Sequence, residues 1–436
     1  MNEDSVILGA GMTGLAAGMV SGLPVIEAAG SSGGICQSYY MAPGSSDVLL
    51  DSPPDEEVYR FENGGGHWIF GGDPGVLHFI RRLVDVKHYA RRSSVFFPDS
   101  ETYVPYPIQN NLRYLPSSLA ADALGEMANP VGSCVTMEDW MNAYFGKTLT
   151  KEFFGPFHAL YTAELYREIA PQDPYKSPVN FSMAVRGAFQ DAPAVGYNTT
   201  FIYPVGGLNR LASKMAEFCD IRYGRCVEKF DIEAREIQFS DGSRQPYESV
   251  QSTLPLNTVM QMAGLTVDAR PDPHTSVLVL NIGATKGDKC PEDHWLYIPH
   301  SRSGFHRVGF YSNVDASFLP ASARSSQDRV SIYIERAFQE GHKPTEEDIQ
   351  QYCQEVTREL IEWGYIREAE VVHPTWIDVA YTWSWPGSTW VTQAVAALEE
   401  QGIYQIGRYG RWVFQGIADS IRDGFVSGGC FKPMER

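Results

Sequence analysis

No two of the seven cysteines, at positions 36, 134, 219, 226, 290, 353 and 430, form a CxxC pair, and their spacing follows no ladder. That excludes a disulfide scaffold and the common zinc-ribbon patterns, and it predicts reduced thiols and no metal site. Long apolar runs are also missing. None approaches the ~20 residues that a membrane-spanning helix needs, so no membrane partner is expected. Basic charge is scarce, with 35 Lys and Arg against 53 Asp and Glu and a net charge of -18. A surface of that sign repels nucleic acid and anionic lipid, so a phosphate-bearing ligand would need a locally basic pocket. Repeats of 20–50 residues and low-complexity tracts are absent. The opening residues Met1 to Asp4 lead straight into a strand-like run rather than a signal-peptide pattern, which makes a soluble, cytoplasmic protein the expectation.

What is present reads as an interleaved α/β chain. Ser5 to Leu8 is a short apolar run ending at glycines, as a buried parallel strand does. Thr13 to Met19 reads as a helix and Pro24 to Glu27 as a second strand. Gly75 to Val84 has one apolar helix face, and Met137 to Tyr161 is helical in character. Val227 to Phe239, followed by Asp241-Gly242, predicts a hairpin region. Val277 to Ile282, Trp295 to Ile298, His306 to Tyr311 and Val330 to Ile334 alternate like antiparallel strands. Thr345 caps a predicted helix to about Trp363, with Asp348 as its capping-box partner.

The first chemical motif is Gly9-x-Gly11-x-x-Gly14 between strand and helix, with Glu27 closing the next strand. Gly9 permits the turn, Gly11 admits a pyrophosphate against the backbone, and Gly14 lets helix and sheet approach closely. Met12 and Thr13 open the helix whose N–H groups face the phosphates. Glu27 is placed for the hydroxyls of an adenosine ribose. It follows Gly14 by only thirteen residues, so the helix between them should be about a turn short.

Gly33-Gly34 resembles the flavoprotein continuation of this fingerprint and moves the expected cofactor from NAD to FAD. Ser31 and Ser32 stand where an arginine is usual. Gly407-Arg408-Tyr409-Gly410 and Gly416 to Ser420 resemble the C-terminal flavin segment of the amine-oxidase-like group. By that resemblance Gly407, Arg408, Asp419, Ser420 and Val227 join the cofactor-binding set. Gly64-Gly65-Gly66-His67 places flexible backbone and one imidazole where Gly65, Gly66 and His67 would lie against a flat ring.

Several blocks together are similar to the UDP-galactopyranose mutase family: Gly65 to Phe70, Tyr103 to Asn111, Trp295 to Pro299, Phe305 to Asn313 and Gly402 to Trp412. The resemblance implies a two-dinucleotide-binding, Rossmann-like FAD domain interleaved with a helical domain and an antiparallel sheet domain. The expected bounds are 1–75, 200–255 and 395–436 for the FAD domain, 76–199 for the mainly helical one and 256–394 for the sheet. It further implies interconversion of pyranose and furanose sugar nucleotides through a flavin N5–sugar adduct, without net redox change. The flavin would act reduced, with NAD(P)H as a candidate reductant.

Under this resemblance His67 and Arg307 are the catalytic expectation, with Arg307 clamping a pyrophosphate. Tyr297, Tyr106, Gln109 and Arg186 are further substrate positions. Three sites depart from the family pattern. His158 and Tyr161 stand where it has asparagine and tryptophan, Trp385 where it has a phosphate-binding tyrosine, and Phe414 where it has a second. Those departures leave open a net FAD-dependent oxidoreductase of the amine-oxidase or protoporphyrinogen-oxidase type. Oligomeric state is not readable from the sequence.

Overall fold

Ser5–Leu8 forms the centre of a five-stranded parallel sheet because all four residues are buried and small or apolar. In the computed structural model, which describes residues 4–132, 134–172 and 179–431, its neighbours come from distant parts of the chain. The strand order is Ile221–Arg222, Val25–Ile26, Ser5–Leu8, Ser249–Ser252, Ile403–Gln405. Between the first two strands in sequence runs the helix Met12–Ser21, ten residues long, as the short interval to Glu27 requires.

A second helix, Ile417–Cys430, lies against it. Two glycines allow this approach, since a β-carbon at Gly424 would stand 2.2 Å from the Thr13 carbonyl oxygen and one at Gly428 2.5 Å from that of Ala17. The pair brings two helix N-termini to the same edge of the sheet.

The larger sheet has seven strands in the order Ile366–Thr382, His274–Lys286, Arg329–Gln339, Arg307–Phe310, Trp295–Tyr297, Ser93–Phe97, Thr102–Pro105. All neighbours are antiparallel except Trp295–Tyr297 with Ser93–Phe97. Its last two strands come from the segment read as mainly helical, a difference from the expected division of the chain. The rest of that segment includes the helices Ser117–Met127, Met137–Leu149, Gly155–Tyr161 and Phe181–Phe189. A π-helical turn, Thr150–Phe154, joins the second of these to the third.

The hairpin region becomes a three-stranded meander, Val227–Asp231, Glu236–Phe239 and Arg244–Pro246. Thr345 and Asp348 make the reciprocal capping box at the start of Glu346–Glu362. Among the described residues no helix is long and apolar enough to cross a membrane, and no group of His, Cys, Asp and Glu could hold a metal ion.

Candidate active site

The two sheets and the helical segment enclose one cavity of about 750 Å³. One end of it is the glycine loop Gly9 to Gly14. Gly9 takes φ +92°, and the Ala10 and Ala29 N–H groups donate to the two oxygens of Glu27 at 2.7 and 2.8 Å. Each carboxylate oxygen keeps a further lone pair for a ribose hydroxyl. Gly33 donates its N–H to the Ala10 carbonyl, which holds the Gly33-Gly34 turn beside Gly11.

The helix Met12–Ser21 starts at Gly11 with no side-chain cap, and Met12 and Thr13 line the cavity with it. A β-carbon at Gly11 would meet no atom within 4 Å beyond its chain neighbours, so it would stand in open space beside the cavity that Gly11 lines. Gly14 lies behind the wall, where a β-carbon would stand 1.9 Å from the Gly9 carbonyl oxygen. From the other side come Gly407, Arg408 and the start of the C-terminal helix. There Asp419 accepts the Gly416 N–H at 3.1 Å and lines the cavity with Ser420.

The middle of the cavity is formed by the Gly64–His67 loop. Gly65, at φ +78°, sits behind the wall, while Gly66 and His67 reach it. A β-carbon at Gly66 would stand 2.1 Å from the Tyr333 hydroxyl oxygen, so this loop is packed directly on the large sheet. Burial and the nearby Arg408 push the His67 imidazole down to about 4, which keeps it neutral at physiological pH. Cys36 also lines the cavity, but burial and then Glu62 push its thiol up to about 12, which rules it out as a nucleophile.

Arg307 enters from the large sheet, directly opposite Glu335 in the strand register. Its guanidinium lies 3.2 Å from the Glu335 carboxylate, which is also 3.4 Å from the His306 Nε2 and accepts from the Tyr381 hydroxyl at 3.4 Å. Burial alone would raise the Glu335 carboxyl, yet Arg307, and then His306, hold it down at about 2. Arg307 is 23% exposed, toward the cavity it lines, and its buried Nε has no protein partner among the described residues. Gln415 Oε1 on the same wall is likewise buried without one. Arg408 is the second cation, held by donating to the Gln415 carbonyl at 3.3 Å and the Ala380 carbonyl at 3.1 Å.

The expected histidine and arginine therefore face one cavity, together with Tyr106, His158, Tyr161, Tyr297 and Phe414. Besides Gly14 and Gly65, behind the wall, four expected residues do not reach it. Gln109 is fully buried beside the helical segment, and Arg186 is exposed on the helix Phe181–Phe189. Val227 packs its side chain into the apolar cluster beneath the parallel sheet. Trp385 lies past the end of the long edge strand, with its indole N–H donating to the Pro271 carbonyl and Arg270 3.7 Å above its ring. Tyr381 and Trp383, four and two residues earlier, line the cavity in its place. Tyr333 and Glu335, neighbours on one face of the strand Arg329–Gln339, were also not foreseen.

The buried histidines make stability pH-dependent with a defined sign. Burial pushes His67, His158 and His294 down to about 4 from about 6.5, so below pH 6.5 the unfolded chain takes up protons that the fold refuses. Glu62 acts oppositely, since burial, only partly offset by Arg60 and hydrogen bonds from Tyr203 and Ser38, pushes its carboxyl up to about 7. Burial lowers His274, His306 and His373 as well and raises Asp272 and Asp293, so the lowered histidines remain the majority. The unfolding free energy is expected to fall by about 1.4 kcal/mol per pH unit for each net proton as pH drops from 6.5 towards 4, and the melting temperature with it. Differential scanning fluorimetry across that range checks it, and a flat or rising profile would contradict the neutral assignment of these imidazoles.

No family model matches the chain. Solved structures do match over nearly its whole length. The crystal structure of reduced UDP-galactopyranose mutase superposes with a TM-score of 0.82 at 20% identity, covering 98% of this chain and 93% of that one. Wild-type putrescine oxidase bound to putrescine gives 0.57 at 15% identity, covering 98% of each chain. The CLA-producing fatty acid isomerase from P. acnes gives 0.57 at 14% identity, again with 98% of each chain. The chain thus has the mixed α/β fold that these mutase, oxidase and isomerase structures share.

Proposed function

We propose that the protein is an FAD enzyme that interconverts pyranose and furanose forms of a sugar nucleotide without net redox change. The observation that carries the proposal is one continuous cavity running from the dinucleotide loop to Arg307, part-exposed to it and paired with the buried Glu335. The residues present fit FAD: Gly11 leaves the space a diphosphate needs, two helix N-termini point there, and Glu27 waits at the ribose end. When bound and reduced, FAD would supply a nucleophilic ring nitrogen toward the middle of the cleft.

The chain's own groups do the rest. Arg307, part-exposed where it lines the cavity, binds and stabilises a departing diphosphate. Glu335, which accepts from the Tyr381 hydroxyl, holds its guanidinium in place. His67, neutral, offers a hydrogen-bonding nitrogen beside the ring site without adding a charge there. The aromatic lining removes water and orients the sugar. The solved mutase structure, which superposes with a higher TM-score than the oxidase, lends support at the level of fold. We further infer action in a reducing cytoplasm, with NAD(P)H or another donor keeping the flavin reduced.

Incubating dithionite-reduced protein with UDP-, dTDP-, GDP- and CDP-hexopyranoses should yield a new isomer of unchanged mass on anion-exchange chromatography. Oxidised protein should give none. A second reading, net oxidation of substrate, is favoured by Phe414, which places an apolar ring in the cavity where the mutase resemblance carries a phenol. It predicts anaerobic bleaching of the flavin by substrate alone, and that result would replace the first reading.

A further inference from the structure

Three neighbouring helices carry a positive face on a chain whose net charge is -18. The helix Pro74–Leu83 packs against both Leu208–Ala216 and Ile417–Cys430. Phe79 meets Phe425 edge-on at 4.8 Å between ring centroids, and a β-carbon at Gly72 would stand 2.5 Å from that of Ala418. Pro74–Leu83 and Ile417–Cys430 therefore run side by side in the same direction. Neither Pro74–Leu83 nor Leu208–Ala216 contains an acidic residue. Both acids of Ile417–Cys430 are already engaged: Asp419 accepts the Gly416 N–H in the cavity wall, and Asp423 is buried against Gly407 and Arg411. Lys214 pairs with Glu217, just past its own helix. Arg81, Arg82, Arg210 and Arg422 are exposed, and none has a carboxylate partner among the described residues. Helix stability accounts for only two of them. Arg81 and Arg82 sit in a last turn, where the helix dipole favours cations, but Arg210 lies in a first turn and Arg422 in a second, toward the ends that favour acids.

This face adjoins the cofactor cavity. Gly71 and Gly72, just before Pro74–Leu83, line the cavity, as do Ile417, Asp419 and Ser420 at the start of the C-terminal helix. Arg422 follows Ser420 by two residues, about 3 Å along the helix axis. Val426, one turn further, is 61% exposed and adds apolar area to the face. We propose that the face docks a small acidic electron-carrier protein that reduces the flavin. Two reduced carriers, arriving in turn, each give one electron. FAD takes both electrons and one proton from water to become its anionic reduced form, and both carriers leave oxidised. An anionic membrane fits less well. A flat bilayer would also meet the acidic remainder of the surface, whereas a small protein meets the arginines alone. The inference rests on the FAD reading above and supplies the electron donor that reading needs.

Anaerobic stopped-flow mixing of the FAD-loaded protein with photoreduced plant-type ferredoxin, an acidic carrier of low potential, tests it. The flavin should bleach at a rate that falls at least about tenfold from low to high salt. Reversing the face with Arg81→Glu, Arg82→Glu, Arg210→Glu and Arg422→Glu together should slow bleaching at low salt at least about tenfold. Bleaching by photoreduced deazariboflavin, a neutral small molecule that needs no docking, should be unchanged, which shows that the reversed protein still holds its flavin. A ferredoxin rate indifferent to salt or to the reversal, or an equal slowing with deazariboflavin, would overturn the docking assignment while leaving the FAD reading intact. So would sedimentation with phosphatidylserine vesicles that the reversal abolishes, which gives the face to a membrane. A purified protein that takes up no FAD would overturn both.

Discussion

Gly11→Ala is expected to abolish the yellow colour of the purified protein while leaving the melting temperature of the FAD-free form unchanged. Gly14→Ala, three residues on, should lose both. The two substitutions add the same methyl group, and the surroundings decide the outcome. At Gly11 the β-carbon meets no atom within 4 Å beyond its chain neighbours and stands in open space beside the cavity, where the diphosphate is proposed to lie. FAD affinity should fall at least about tenfold, because a phosphate oxygen can no longer approach the backbone. At Gly14 the β-carbon would stand 1.9 Å from the Gly9 carbonyl oxygen, a backbone atom that cannot turn aside. Helix and loop must separate, at a cost on the order of 1–3 kcal/mol typical of overpacking. Flavin absorbance per protein and scanning fluorimetry of FAD-free samples separate the two effects. An intact flavin complex in Gly11→Ala would remove the physical basis for placing FAD at this loop.

The half of this end of the cavity that the N-terminal unit builds was legible in the sequence because its elements are local. Ser5–Leu8, the glycines and Glu27 lie within one strand–turn–helix–strand unit, and backbone geometry alone dictates which residue types fit. The ligand end was only half legible. His67 and Arg307 could be chosen, since glycines or family blocks surround them. Glu335 could not, because its meaning comes from the register that sets it across from Arg307, and register is a tertiary property.

The edge strand Ile366–Thr382 was missed altogether. It carries Pro374, and its burial does not alternate, since it pairs on one side only and is bulged three times against His274–Lys286. Without that strand the two-residue period that sends Tyr381 and Trp383 to the cavity was invisible, and Trp385, beyond its end, was chosen instead. Gln109 and Arg186 failed for a related reason. They lie on a 3-10 turn and on a short helix whose facing depends on how the helical segment packs.

The Arg307–Glu335 pair should behave asymmetrically under mutation. Arg307→Ala leaves a fully buried carboxylate without its main counter-charge, which costs about 3–5 kcal/mol in comparable pairs. Glu335→Gln should be milder, because Arg307 keeps contact with the cavity and can be solvated there. The double variant Arg307→Ala, Glu335→Gln removes both charges and should recover most of the lost stability. Activity should not follow. With no guanidinium to stabilise a departing diphosphate, turnover should stay down by about 10²–10³-fold in both Arg307→Ala and the double variant. Chemical denaturation gives the stability cycle, and the isomerisation assay on reduced protein gives the activity cycle. A double variant as unstable as Arg307→Ala would show that Arg307 does not neutralise Glu335. Near-normal turnover in it would leave the cavity with Arg408 as its working cation and remove Arg307 from the chemistry.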